Sequence, residues 1–261
     1  MCPEHARLEH APGNTRMAET ISLDFGKPIP LFPLSGTVLL PHAVQALHVF
    51  EPRYRQMMDH CIADVQSDKL LTAGPIALAS FLASSRMSPP IHDPSHPPPL
   101  RSAVCVGKIV QQQRLEDGKH NVLIQGVCRA RIRAMLESDG KRLYRMAMLE
   151  PIERVTEPPP SLPGVRGALK ALLQRPRLQR LAGAEVVLEW IARKDVPTHA
   201  LLELVGFTLM NDERVRYRLL AEPDPKLRAT LIRGELGRLD ALVAKAEEQA
   251  WRDWPKGLSW N

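Results

Sequence analysis

The residues best equipped for chemistry fall in four groups. Glu51 and Arg53 flank Pro52, and a carboxylate beside a guanidinium can do acid–base work. His92-Asp93-Pro94-Ser95-His96 gathers two imidazoles and a carboxylate. Arg129, Arg131 and Arg133 alternate along one run; on a strand they would share a face and could read phosphates. The cysteines are Cys2, Cys61, Cys105 and Cys128. Each group also has a plainer reading. Glu51-Pro52 is a helix start, because proline at the first helical position loses no hydrogen bond and negative charge is favoured there. Glu51 is therefore expected to cap a helix, Arg53 to pair or bond across to strands, and Phe50 and Tyr54 to pack that helix down. A metal needs three or four rigidly held ligands, and the stretch 92–96 is embedded in prolines, so no metal is expected. His42, His48 and His60 read as ordinary core or surface histidines. No two cysteines form a Cys-x-x-Cys pair, which argues against a zinc site or a disulfide framework and for small apolar packing residues. No catalytic residue and no cofactor is assigned.

The elements that must position these residues come next. The stretch 29–50 reads as two strands punctuated by Pro and Gly. A helix over 51–66 carries Tyr54, Met57, Met58, Cys61, Ile62 and Val65 on one stripe. A buried strand is predicted over 75–81, then a long irregular proline-rich loop over 84–102. Strands over 104–115 and 120–127 flank the Asp117-Gly118 turn. Strict alternation follows, with Cys128, Ala130, Ile132 and Ala134 inward and Arg129, Arg131 and Arg133 on a solvated outer face. Beyond Asp139-Gly140 one more strand reaches residue 153. After 155–164, rich in proline, the period changes to about 3.6. Helices are predicted over 165–181, 184–194, 197–210, 213–221 and 226–250, with Asn211-Asp212 as a cap; Trp251, Trp254 and Trp260 close the chain. The division expected is a flexible tail over 1–26 (with Met17 as an alternative start), a β domain over 27–154, a linker over 155–164 and a helical domain over 165–261.

The bulk properties set limits. The chain has 261 residues, 44% of them hydrophobic, enough for one large domain or two modest ones. No apolar run reaches the roughly 18 residues of a membrane span, and the first 25 residues lack the apolar centre of a signal peptide. A cytoplasmic, membrane-free protein is expected. A net charge of +6 permits acidic partners, while 5% aromatic residues are few for stacking single-stranded bases.

Ile29-Pro30-Leu31-Phe32-Pro33-Leu34 and Phe50-Glu51-Pro52-Arg53-Tyr54 resemble two motifs of the Lon protease N-terminal domain family, the second in full. Leu40-Pro41-His42 departs from that family's Phe-Pro-Gly turn. Val106-Gly107-Lys108-Ile109-Val110 and Gly126-Val127-Cys128-Arg129-Ala130-Arg131-Ile132 are similar to its central strands. Leu201-Leu202-Glu203 and Arg216-Tyr217-Arg218-Leu219-Leu220 resemble its helical half more loosely. The likeness covers about residues 29–250. It implies an α+β fold: a PUA-like six-stranded β pseudo-barrel with one prominent helix, followed by a C-terminal helical bundle. Phe32, Pro33, Phe50, Glu51, Pro52, Arg53, Tyr54, Gly126 and Arg129 would be family residues with mainly structural roles. In the full proteases such a module recognises unfolded or tagged substrates, ahead of an ATPase and a Ser-Lys protease. This chain resembles the stand-alone members.

Neither a Gly-x-x-x-x-Gly-Lys-Ser/Thr loop nor a Gly-x-Ser-x-Gly elbow occurs in the sequence. The expectation is a non-catalytic protein- or peptide-binding module without ATPase or protease domains. Its partners would be unfolded or extended polypeptide, or a protein partner such as a protease or chaperone. Phe32, Leu34 and the 84–102 loop are the expected contacts, on apolar surface between barrel and helices. The alternative is RNA binding by Arg129, Arg131 and Arg133, extended by Arg142 and Arg145, although Glu116, Glu137, Asp139 and Glu150 lie close enough in sequence to neutralise them. A small-molecule enzyme with an unrecognised site is the second alternative.

Overall fold

A computed structural model describes residues 5–6, 21–63, 70, 72–82, 98–137, 139–153 and 161–250. The 92–96 segment, most of the 84–102 loop, residues 155–160 and the three C-terminal tryptophans lie outside the described residues. A short pair, β1 (His5–Ala6) and β2 (Ile21–Ser22), stands apart from the main sheet. That sheet is built from β3 (Ile29–Leu34), β4 (Val44–Val49), β5 (Ile76–Ser80), β6 (Ala103–Arg114), β7 (His120–Met135) and β8 (Met146–Pro151), in the order β4-β7-β6-β5-β3-β8. The pair β3–β5 is parallel and the other pairings are antiparallel.

The long strand β7 closes the barrel. One edge pairs with β6 along its length. The other edge is divided: residues 120–125 pair with β4, and Ala130 to Met135 pair with β8. At the changeover, the turn at residues 40–43 crosses over Gly126. His42 N donates to Gly126 O at 2.8 Å, and Gly126 N donates to Ala43 O at 2.9 Å. A Cβ on Gly126 would stand 2.2 Å from Leu40 O, so only glycine allows this crossing. The turn has proline at its second position, a positive φ of 65° at His42 and an Ala43 N to Leu40 O bond. That is the pattern of a type II turn, whose third position favours glycine. The departure of Leu40-Pro41-His42 from Pro-Gly thus puts a histidine in a left-handed conformation.

Alternation on the strands divides two apolar clusters. Ile29, Leu31, Ala77, Ala79, Val104, Val106, Ala130, Ala147 and Leu149 fill one side of the curled sheet. The opposite face carries Phe32, Ile76, Leu78, Cys105 and Ile124, which join a larger cluster containing Met57, Leu169, Val187, Leu201, Leu219 and Ile232. The prominent helix α1 (Pro52–Ile62) starts with proline in its first turn, as the sequence predicts. The helical half comprises α2 (Val165–Leu173), α3 (Pro176–Gln179), α4 (Ala184–Ala192), α5 (Thr198–Leu209), α6 (Glu213–Ala221) and α7 (Pro225–Ala250). The helix expected over 165–181 is two helices, since Pro176 cannot continue the first. Asp212 caps α6, its side chain accepting from Arg214 N at 2.7 Å.

Arg129 marks where the two halves lock. It is 1% exposed, not on a solvated face. Its guanidinium bonds Glu203 of α5, reaches Glu153 at 3.2 Å and donates to Leu219 O of α6 at 3.3 Å. Arg228 of α7 pairs with Glu153 and lies 3.0 Å from Glu203. Burial works against the Arg129 charge, but Glu203 and Glu153 outweigh it and hold the guanidinium above its ordinary value. Tyr217 of α6 adds a bond to Ala103 N at 3.0 Å, and Arg101 stacks on its ring.

Candidate functional groove

A concavity of the described residues lies on the β side, while between barrel and helices the Arg129 network ties the two halves together. Its origin is a short pairing. β8 meets β3 only at Ile29 and Pro30, with one further bond from Leu31 N to Arg145 O at 2.9 Å. Past Leu31 the β3 edge is uncovered on this side, and a groove of about 1010 Å³ opens there. Pro33 and Tyr54 line it beside Glu51 to Arg53 at the start of α1. Pro98 to Leu100 form one wall, and Met135 to Glu137 with Arg142 to Met146 of the β7–β8 hairpin form the other. Leu143 is 59% exposed and Met135 45%; both are large apolar side chains held in water at the groove.

The signature residues take distinct places. Tyr54 is buried, packs against Phe32 at a tilt of 45° with centroids 4.5 Å apart, and points its hydroxyl toward Pro33 O at 3.5 Å. Phe32, itself buried, packs beneath Tyr54 and does not line the groove. Leu34 is half-buried, packs against the core and does not line the groove. Glu51 occupies the cap position of α1 but makes no side-chain capping bond. Its carboxylate instead holds Arg53 at 2.7 Å, and the Arg53 guanidinium lies 4.4 Å over the Tyr54 ring. Phe50 does not pack α1 down: it is 58% exposed and stacks on His48. Of the three arginines expected on one basic face, Arg131 and Arg133 are exposed and Arg129 is withdrawn. Sequence reasoning missed Leu143 and Met135 as exposed apolar residues of the groove, because an apolar residue beside a turn looks like any strand end.

Among the described residues lining the groove, burial raises the hydroxyl pKa of both Tyr54 and Tyr144. Burial pushes the Tyr54 hydroxyl up to about 12, against the nearby Arg53. Outside the groove, burial lifts Cys61 to about 12 and Cys105 well above the ordinary thiol value. Such thiols stay protonated and inert at neutral pH. His42 is pushed down to about 4 by burial, then by His199, Arg129 and Arg228. Among the described residues, no group of three or more His, Cys, Asp or Glu side chains could hold a metal, and no helix is long and apolar enough to cross a membrane.

Comparison with known proteins agrees with this architecture. The N-terminal domain of Mycobacterium avium complex Lon protease superposes with a TM-score of 0.57 at 18% identity, over 81% of this chain and 98% of that one. A Lon N-terminal domain protein from Xanthomonas campestris gives 0.49 at 21% identity, over 84% and 98%. Lon protease 3 of Sorangium cellulosum (strain So ce56) is 33% identical over 112 residues, 43% of this chain; the matched part spans 12% of that protease. The family described as the ATP-dependent protease La (LON) substrate-binding domain matches residues 28–238, and the chain belongs to that family.

Proposed function

We propose that the groove between α1, residues 98–102 and the β7–β8 hairpin binds extended or unfolded polypeptide without catalysing a reaction. The observation that carries this reading is the pair Leu143 and Met135, exposed at the mouth of a groove lined by Pro33 and Tyr54. Exposed apolar surface of this kind marks interaction sites. Tyr54 beside it is buried and held protonated, which fits binding rather than reactivity. Family membership supports the substrate-binding role. In this reading the domain acts in the cytoplasm, and held polypeptide passes to a protein partner such as a protease or chaperone.

The test is anisotropy of a labelled, permanently unfolded protein titrated with the full chain. Leu143→Asp is expected to weaken binding by about 10-fold, the effect of losing roughly 1.4 kcal/mol at an apolar contact. Leu242→Asp, at an equally exposed leucine on α7, is expected to change nothing. Equal effects of the two substitutions, or no binding by the unsubstituted chain, would remove the groove from the account.

A further inference from the structure

Among the described residues, one cation in the groove lacks a counter-charge. Arg145 is half-buried in the groove wall. Its carbonyl is fixed by Leu31 N, and its Nη1 donates to Pro98 O at 2.9 Å. No carboxylate of the described residues lies within ion-pair distance of it. The other arginines lining the groove are matched, Arg53 by Glu51 and Arg142 by Asp139. Glu137 lies across the hairpin, where Leu136 N bonds Met146 O, yet the two side chains do not pair. Burial, reinforced by the nearby Arg53 charge and only partly relieved by Tyr54, holds the Arg145 guanidinium below its ordinary value. The carboxylate-paired Arg177, Arg193 and Arg238 move the opposite way. A partly desolvated cation without a counter-ion is unfavourable, and an arriving anion relieves it.

We infer that Arg145 anchors the free C-terminal carboxylate of a bound polypeptide whose last side chains are apolar. This rests on the groove being the polypeptide site. The guanidinium fork matches a carboxylate with paired N–H donors. Pro33, Ile132, Met135 and Leu143 offer apolar side chains to the residues preceding it. An internal Asp or Glu would bring peptide groups on both sides into this apolar channel, where unpaired polar groups are costly. A chain end brings a peptide group on one side only.

The experiment uses three short labelled peptides with the same leucine- and alanine-rich sequence: one ending in a free carboxylate, one amidated, and one amidated after a terminal Asp. With the full chain, the free acid is expected to bind about 10-fold tighter than either amide. Arg145→Gln should erase that preference while still binding the plain amide, which also shows that the variant is folded. Equal binding of acid and amide to the unsubstituted chain would overturn the carboxylate anchor and leave the groove reading intact. An Asp-ended amide as tight as the acid would also overturn it, as would a preference that survives Arg145→Gln. Failure of all three peptides, together with failure of the unfolded protein to bind, would overturn both.

Discussion

At the scale of single residues, two positions show how the turn over β7 is made. Gly126 is needed because Leu40 O occupies the space of its Cβ. His42 occupies the left-handed position of that turn and is held neutral, its pKa lowered from 6.5 to about 4. A neutral form favoured by the fold stabilises fully above about pH 6.5, and this contribution is lost as the pH falls toward 4. At pH 5 the unsubstituted chain is expected to have lost about 1–2 kcal/mol by this route. His42→Gly removes the titrating ring and suits the positive φ. Urea unfolding at pH 8 should find the two proteins within about 1 kcal/mol, since the gain at φ offsets the added unfolded-state entropy. At pH 5 the glycine variant should be the more stable. Parallel acid limbs for the two proteins would contradict the role given to His42. The sequence reveals His42 as a departure from a Pro-Gly turn, but not its proximity to His199, Arg129 and Arg228, which only the folding of distant segments creates.

At the scale of elements, turns and helix starts were legible where local chemistry decides them. Pro52 opens α1, Asp212 caps α6, and Asp-Gly turns both β6–β7 and β7–β8. The alternation along β7 was legible too, but its meaning was not. Period two says which residues share a face, and says nothing of how far a neighbouring element covers that face. The helical half covers the sheet at Arg129, and its cover ends before Arg131, two residues on. One strand therefore carries a buried ion-pair centre and two solvated cations of the same type. Arg129→Ala would leave Glu203 buried with less than its full counter-charge, and is expected to cost about 3–5 kcal/mol. Arg131→Ala should stay within about 0.5 kcal/mol. Denaturant unfolding of the two variants measures the difference; equal and small losses would mean that the network does not hold the halves together.

At the scale of the molecule, one apolar cluster runs from Phe32 and Tyr54 through Cys105 to Leu201 and Ile232. The buried charges of Arg129, Glu203 and Arg228, with the half-buried Glu153, close the boundary beside it. The helices thus brace the barrel through the surface between the two halves. The proposed binding surface lies instead at the far end of β3, where the short β8 pairing leaves a gap. That gap was not legible from sequence, because it depends on where two strands part company and not on the composition of either. The central claim is that polypeptide lies in this groove. The most direct measurement is photo-crosslinking of an unfolded polypeptide carrying a benzophenone group to the full chain, with the adducts mapped by peptide mass spectrometry. The structure predicts adducts concentrated on residues 135–146 and around Tyr54 and Leu100. Adducts concentrated on α5 to α7, or on the outer edge of β4, would contradict it.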